Sequence, residues 1–195
     1  MSFELRVTGR LSEEKGDAMH PRIEYAKVAP NAISAMLGLE QYLRQSGLDP
    51  SLLELVKLRA SLLNGCAYCI DMHTKDARAR GESEQRLYAV AVWRETPFFT
   101  ARERAALAWT QAVTQVSWQH VPEDVYQSAR QHFDEKELVD LTMAIIAING
   151  WNRLAISFRT VPGTYQPAPE GKKTAAASRA SASAPGQERD HTRSH

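Results

Sequence analysis

The sequence predicts an all-α fold, a single domain of about six to eight helices. Three observations predict it. Leu, Ala, Val and Ile recur at helical spacing from about residue 21 to residue 165. The segments they mark begin and end on helix caps. No stretch alternates apolar and polar residues between hairpin turns.

Each element follows from local chemistry. Pro30 precedes the apolar series Ile33, Met36, Leu37, Leu39 and Leu43, a helix ending near Gly47. Asp49-Pro50 supplies a cap and a first-turn proline for the next helix. That helix carries Leu52, Leu55, Val56, Leu58, Leu62 and Leu63, and Asn64-Gly65 ends it. A third runs from Cys66 to Arg80 and stops at Gly81, and another runs from Ser83 to Glu95, before Pro97. Thr100 and Glu103 form a capping box ahead of Ala105 to Val116. Pro122 opens a short helix through Phe133. Asp134 and Glu137 cap the apolar stretch Leu138 to Ile148, and a last helix is expected from Trp151 to Phe158, closed by Val161-Pro162-Gly163.

Composition sets the limits. The chain has 195 residues, 43% apolar and 24% charged, enough to bury a core without disulfides or a structural metal. A formal charge of +1 argues against sequence-independent nucleic-acid binding. No apolar run reaches the roughly 18 residues of a membrane span. The start MSFELRVTGRLSEEKG lacks the order of a signal peptide, so a cytoplasmic location is expected. Residues 1–20 read as an irregular extension, and Met19 is a second candidate start. Residues 166–195 read as a disordered, Ala/Ser-rich, mildly basic tail: from Gly171 onward there is no Val, Ile, Leu, Met, Phe, Trp or Tyr. Residues 21–165 are then the helical domain. Neither a Gly-rich phosphate loop nor GxSxG is present, so nucleotide chemistry and serine hydrolysis have no support.

Chemistry concentrates in one segment, Glu54-LVKLRASLLNG-Cys66-AY-Cys69-IDM-His73. The chain's two cysteines are Cys66 and Cys69, and on a helix they share a face with Ile70 and His73. The sulfurs can reach one another to form a disulfide. Both lie in the first turn after Asn64-Gly65, where free N–H groups and the helix dipole stabilise a thiolate. Such a pair suits redox chemistry, in which one thiolate is oxidised and the other resolves it to a disulfide. His73 and Glu54 are the right kind of groups to move the protons, provided the fold sets their helices side by side.

Plainer readings stand beside this one. A CxxC can be two small buried residues. His73 or Glu54 alone would be an ordinary core or surface residue. Cys66, Cys69, His73 and Glu54 could also ligate zinc, but no second Cys/His pair exists, so no metal is expected. Tyr68 reads as a pocket wall, Asp71 and Lys75 as charged surface, and Trp93, Trp109 and Trp118 as core or interface aromatics. Asn149 and Asn152 read as helix-bonding groups.

The segment ELVKLRASLLNGCAYCIDMHTKDARARG resembles the core of the alkylhydroperoxidase D (AhpD) family, within the carboxymuconolactone decarboxylase-like superfamily. That family's motif is Glu, eleven residues, Cys-x-x-Cys, three residues, His, and Glu54, Cys66, Cys69 and His73 match it. The likeness covers about residues 22 to 163. It implies a helical fold that forms trimers or hexamers, and a peroxidase acting on hydrogen peroxide and alkyl hydroperoxides. It casts Cys69 as the peroxidatic thiol, Cys66 as the resolving thiol and proton donor, and His73 and Glu54 as the proton relay. No bound cofactor is implied. Electrons would come from an external dithiol such as a dihydrolipoyl group on a protein, or the chain would serve a peroxiredoxin. Dipole logic alone favours Cys66 as the more acidic thiol, whereas adjacency to His73 and the family favour Cys69. Better-known members carry a histidine between the cysteines, where this chain has Ala67-Tyr68. The competing functions are a disulfide reductase or relay, a lactone decarboxylase, and a redox sensor without turnover.

Overall fold

Nine α-helices and a 3-10 turn, with no strand, make up the described residues, 19–167, of the computed structural model. In chain order the helices are α1 Tyr25–Val28, α2 Pro30–Gln45, α3 Pro50–Asn64, α4 Ala67–Ala79 and α5 Glu84–Ala89, then, past the 3-10 turn Val90–Glu95, α6 Ala101–Thr114, α7 Val116–Gln119, α8 Glu123–Arg130 and α9 Glu135–Phe158. The N-terminal extension to residue 18 and the tail from residue 168 lie outside the described residues. No helix among the described residues is long and apolar enough to cross a membrane.

The expected caps are in place because each is a local hydrogen bond. Asp49 accepts from the Ser51 amide at 2.8 Å. Thr100 with Glu103, and Asp134 with Glu137, form complete capping boxes at the starts of α6 and α9. Gly65 ends α3 in the left-handed region, at φ 69°, which only glycine adopts without strain.

α3 is the hub. It is buried around most of its circumference and packs against α4, α6, α9 and the 3-10 turn. One side meets Leu43, Trp109, Phe133 and Ile145, and the other meets Leu87, Val90, Trp93 and Leu107. A third, smaller cluster joins Ala60 of α3 to Cys66, Cys69, Ile148 and Ala155.

The structure corrects three expectations and decides a fourth in part. The two expected C-terminal helices are one, 24 residues long, running straight through Gly150. That glycine is a packing residue: a Cβ there would lie 2.9 Å from the Met36 side chain of α2. The segment from Ser83 to Glu95 is broken, since α5 passes into the 3-10 turn and Val92 leaves helical geometry (φ −120°, ψ 31°). Short extra turns, α1 and α7, contain four residues each, with none buried. Trp93 and Trp109 are core residues, but Trp118 is 87% exposed on α7.

Candidate active site

The chain reverses at Gly65, and α4 returns along α3. Cys66 is the N-cap of α4 and Cys69 lies in its first turn, with the Cys69 amide donating to Cys66 Sγ at 3.4 Å. The two cysteines form a disulfide, their Cα atoms 5.4 Å apart. Cys69, His73 and Ala77, one turn apart in succession, are the residues α4 buries.

The return of α4 brings Glu54 to His73. Glu54 Oε2 lies 2.9 Å from His73 Nδ1, and the residues are 7% and 4% exposed. A carboxylate can only accept here, so Nδ1 carries the proton, and whenever the ring is neutral Nε2 is the acceptor. His73 Nε2 is buried with no hydrogen-bond partner. Burial pushes the Glu54 carboxyl up. The His73 hydrogen bond and the charges of His73, Lys57 and Arg80 outweigh this, and the net shift is downward. Arg80 Nε stands 3.8 Å from the other Glu54 oxygen.

Cys69, Glu54 and His73 all line a cavity of about 510 Å³, whose walls include Tyr68 and Met72 of α4, Leu37 and Glu40 of α2, and Trp151 of α9. Among the described residues, His73 Nε2 is the one buried side-chain atom without a partner that belongs to a residue on this wall. Cys66 does not line it. Cys66 borders a second cavity of about 280 Å³ with Arg159 and Thr160. Tyr68, expected as a pocket wall, borders both, and burial raises its hydroxyl pKa.

Several residues of the site escaped the sequence reading. Asp76 and Arg80 line the cavity at positions 3 and 7 beyond His73, so the helical period that links Cys69 to His73 would have found them. Tyr165 is remote in sequence and carries no such signal, yet its hydroxyl donates to both Asp76 oxygens, at 2.8 and 3.0 Å. Burial first, then the Asp76 hydrogen bond and charge, raises its pKa. Asp71 and Lys75 are not plain charged surface. They pair at 2.9 Å and hold the segment after α9: Lys75 donates to the carbonyls of Gly163 and Tyr165, and Asp71 accepts from the Gly163 amide. Asn149 and Asn152 do bond helix to helix. Asn64 of α3 donates to both, and Asn152 donates to Ser61.

Glu54, His73 and Asp76 also bring potential metal-ligand atoms within 4.8 Å of one another. Tyr165 already occupies Asp76, while His73 and Arg80 occupy Glu54. The protein's own hydrogens and charges therefore compensate this acidic pair.

Comparisons with known proteins show what the chain as a whole is similar to. The sequence model of the carboxymuconolactone decarboxylase family matches residues 30–112. The uncharacterized protein YdfG of Bacillus subtilis is 42% identical over 139 residues, 71% of this chain and 95% of that protein. A crystal structure from Agrobacterium tumefaciens, of a protein of unknown function proposed to be the antioxidant defence protein AhpD, superposes with a TM-score of 0.73. It is 46% identical, and the match covers 75% of this chain and all of that one. The debrominase Bmp8, in complex with 2,3,4-tribromopyrrole, shares the fold at 18% identity and a TM-score of 0.65, over 71% of this chain and 74% of its own.

Proposed function

The chain belongs to the carboxymuconolactone decarboxylase family, in its AhpD-like part, and from that premise we propose that it is a thiol-dependent peroxidase. Because a debrominase has the same fold, the fold does not choose the chemistry, and the site must. One observation carries the reading. A redox-capable cysteine and a histidine held by a buried carboxylate line the same cavity, and the histidine's free nitrogen has no other partner.

In the reduced protein, His73 Nε2 takes the proton of the Cys69 thiol, and Glu54 stabilises the imidazolium that results. The α4 N-terminus stabilises the thiolate. The thiolate attacks the distal oxygen of the hydroperoxide and the O–O bond breaks. The leaving alkoxide takes the proton from His73, so the products are Cys69 sulfenic acid and an alcohol. Cys66 then attacks the Cys69 sulfur, giving the disulfide and water. An external dithiol returns both cysteines to thiols and leaves as its own disulfide. A dihydrolipoyl group on a partner protein has the required chemistry, and a peroxiredoxin is the alternative partner. Cys69 is given the peroxidatic role because it lines the His73 cavity and Cys66 does not.

The test is a thiol count on reduced, desalted protein before and after a small excess of tert-butyl hydroperoxide. Wild type should lose both thiols and gain a Cys66–Cys69 link by non-reducing mass spectrometry. Cys66→Ser should stop at a trappable sulfenic acid, and Cys69→Ser should not react. Two unreactive wild-type thiols would end the peroxidase reading, and turnover retained in Cys69→Ser would end the assignment of roles.

A further inference from the structure

The cavity is much larger than hydrogen peroxide requires. At about 30 Å³ per water of liquid, its roughly 510 Å³ is the volume of more than ten waters. It falls in the size range of pockets that bury whole organic molecules. Leu37, Met72 and Trp151 give it an apolar wall.

Its charges are matched one by one, with one left over. Glu40 accepts from Lys57 Nζ at 2.8 Å on one oxygen and from Trp151 Nε1 at 3.1 Å on the other. Glu54 is taken by His73 and faces Arg80, and Asp76 is taken by Tyr165. Lys57 is committed to Glu40. The remaining charged residue of the lining is Arg44, one turn beyond Glu40 on α2. It is exposed, and no acidic side chain among the described residues pairs with it. Glu40 is the acid whose spacing would suit it, and both Glu40 oxygens are already used.

We propose that the substrate is an amphipathic organic hydroperoxide bearing a carboxylate, which Arg44 holds at the mouth while the apolar body lies along Leu37, Met72 and Trp151. A guanidinium fork suits a carboxylate, since it can donate two parallel hydrogen bonds, and the other guanidinium on the wall, Arg80, already faces Glu54. The inference rests on the peroxidase reading above and adds the substrate class. The bonds made and broken are those already given, and the product is the hydroxy acid.

The experiment compares kcat/KM for 13-hydroperoxyoctadecadienoic acid with that for its methyl ester, both below their critical micelle concentrations. The two share one O–O bond and one apolar chain and differ in charge. Because Arg44 is exposed, the preference for the acid should be about fivefold at low ionic strength and shrink as salt is added. Arg44→Gln should bring the ratio close to one, and Arg44→Lys should retain part of it. An acid-to-ester ratio near one in the wild type overturns the proposal, as does a preference that survives Arg44→Gln. Oxidation by tert-butyl hydroperoxide but by neither lipid substrate overturns the substrate class alone. No oxidation by any of the three overturns the peroxidase reading and the substrate class with it.

Discussion

Replacing Glu54 by Gln should slow oxidation of the Cys69 thiol by hydroperoxide about 5- to 30-fold without unfolding the protein. Gln has the shape of Glu, and its carbonyl oxygen can still accept from His73 Nδ1 across the present 2.9 Å. The tautomer and the ring orientation therefore persist. What is lost is the charge beside a histidine that becomes positive when it takes the thiol proton. A hydrogen bond to a charged group contributes about 1.5–3 kcal/mol and a neutral one about 0.5–1.5 kcal/mol. The difference, about 1–2 kcal/mol, converts to the stated factor. Solvent does little to screen it, because Glu54 is 7% exposed and His73 4%. The assay is single-turnover loss of thiols under quenched flow. The rate of alkylation by iodoacetamide against pH reads the thiolate fraction separately from the oxidation step. A Glu54→Gln protein that oxidises within twofold of wild type, with unchanged melting, would refute the part given to Glu54.

Two further predictions concern stability. Asn152 is fully buried, donates to Ser61 Oγ at 3.1 Å and accepts from Asn64 at 2.8 Å. Asn152→Ala should cost about 1–3 kcal/mol, read as a lower urea midpoint, because it removes two hydrogen bonds at a buried position, each contributing about 0.5–1.5 kcal/mol. An unchanged midpoint would mean that Ser61 and Asn64 find other partners. The second concerns acid. Glu54 and Asp140 both sit below their ordinary values of 4.5 and 3.8. For Asp140, burial acts upward and is outweighed by hydrogen bonds from Lys136 and Tyr42, both at 2.6 Å. A carboxyl depressed by folding stabilises the native state above its unfolded pKa, and that stability is lost as pH falls through the folded value. The melting temperature should thus hold above the ordinary carboxylate range and decline below it. Asp140→Asn should make the decline shallower, and an equally steep decline in that variant would assign acid sensitivity to other groups.

How much could be read without the structure followed from the range of the interactions. The caps at Asp49, Thr100 and Asp134 are bonds across two or three residues, so the local sequence contains all of their chemistry. Gly65 and Gly150 look alike in sequence. One ends a helix because its backbone turns left-handed, while the other sits mid-helix because Met36 of a distant helix presses on it. Only the first reason is local. The cysteine pair and His73 were legible through the period of one helix. Their meeting with Glu54 depended on how α4 returns along α3, and other segments bring Arg44 to the cavity and Tyr165 to Asp76. Trp118 was left between core and interface because an aromatic side chain does not say what its turn packs on, and the fold puts it outside the core.

The site is divided between two helices that are held very differently. Its acid belongs to α3, which buries nine residues, and its thiols and histidine belong to α4, which buries three. Local opening in proteins is drawn from the elements with few buried contacts. On that ground α4 is expected to open ahead of α3. Under the peroxidase reading, such an opening would bring the oxidised pair to a bulky reductant without the molecule as a whole coming apart, and closure would return His73 to Glu54.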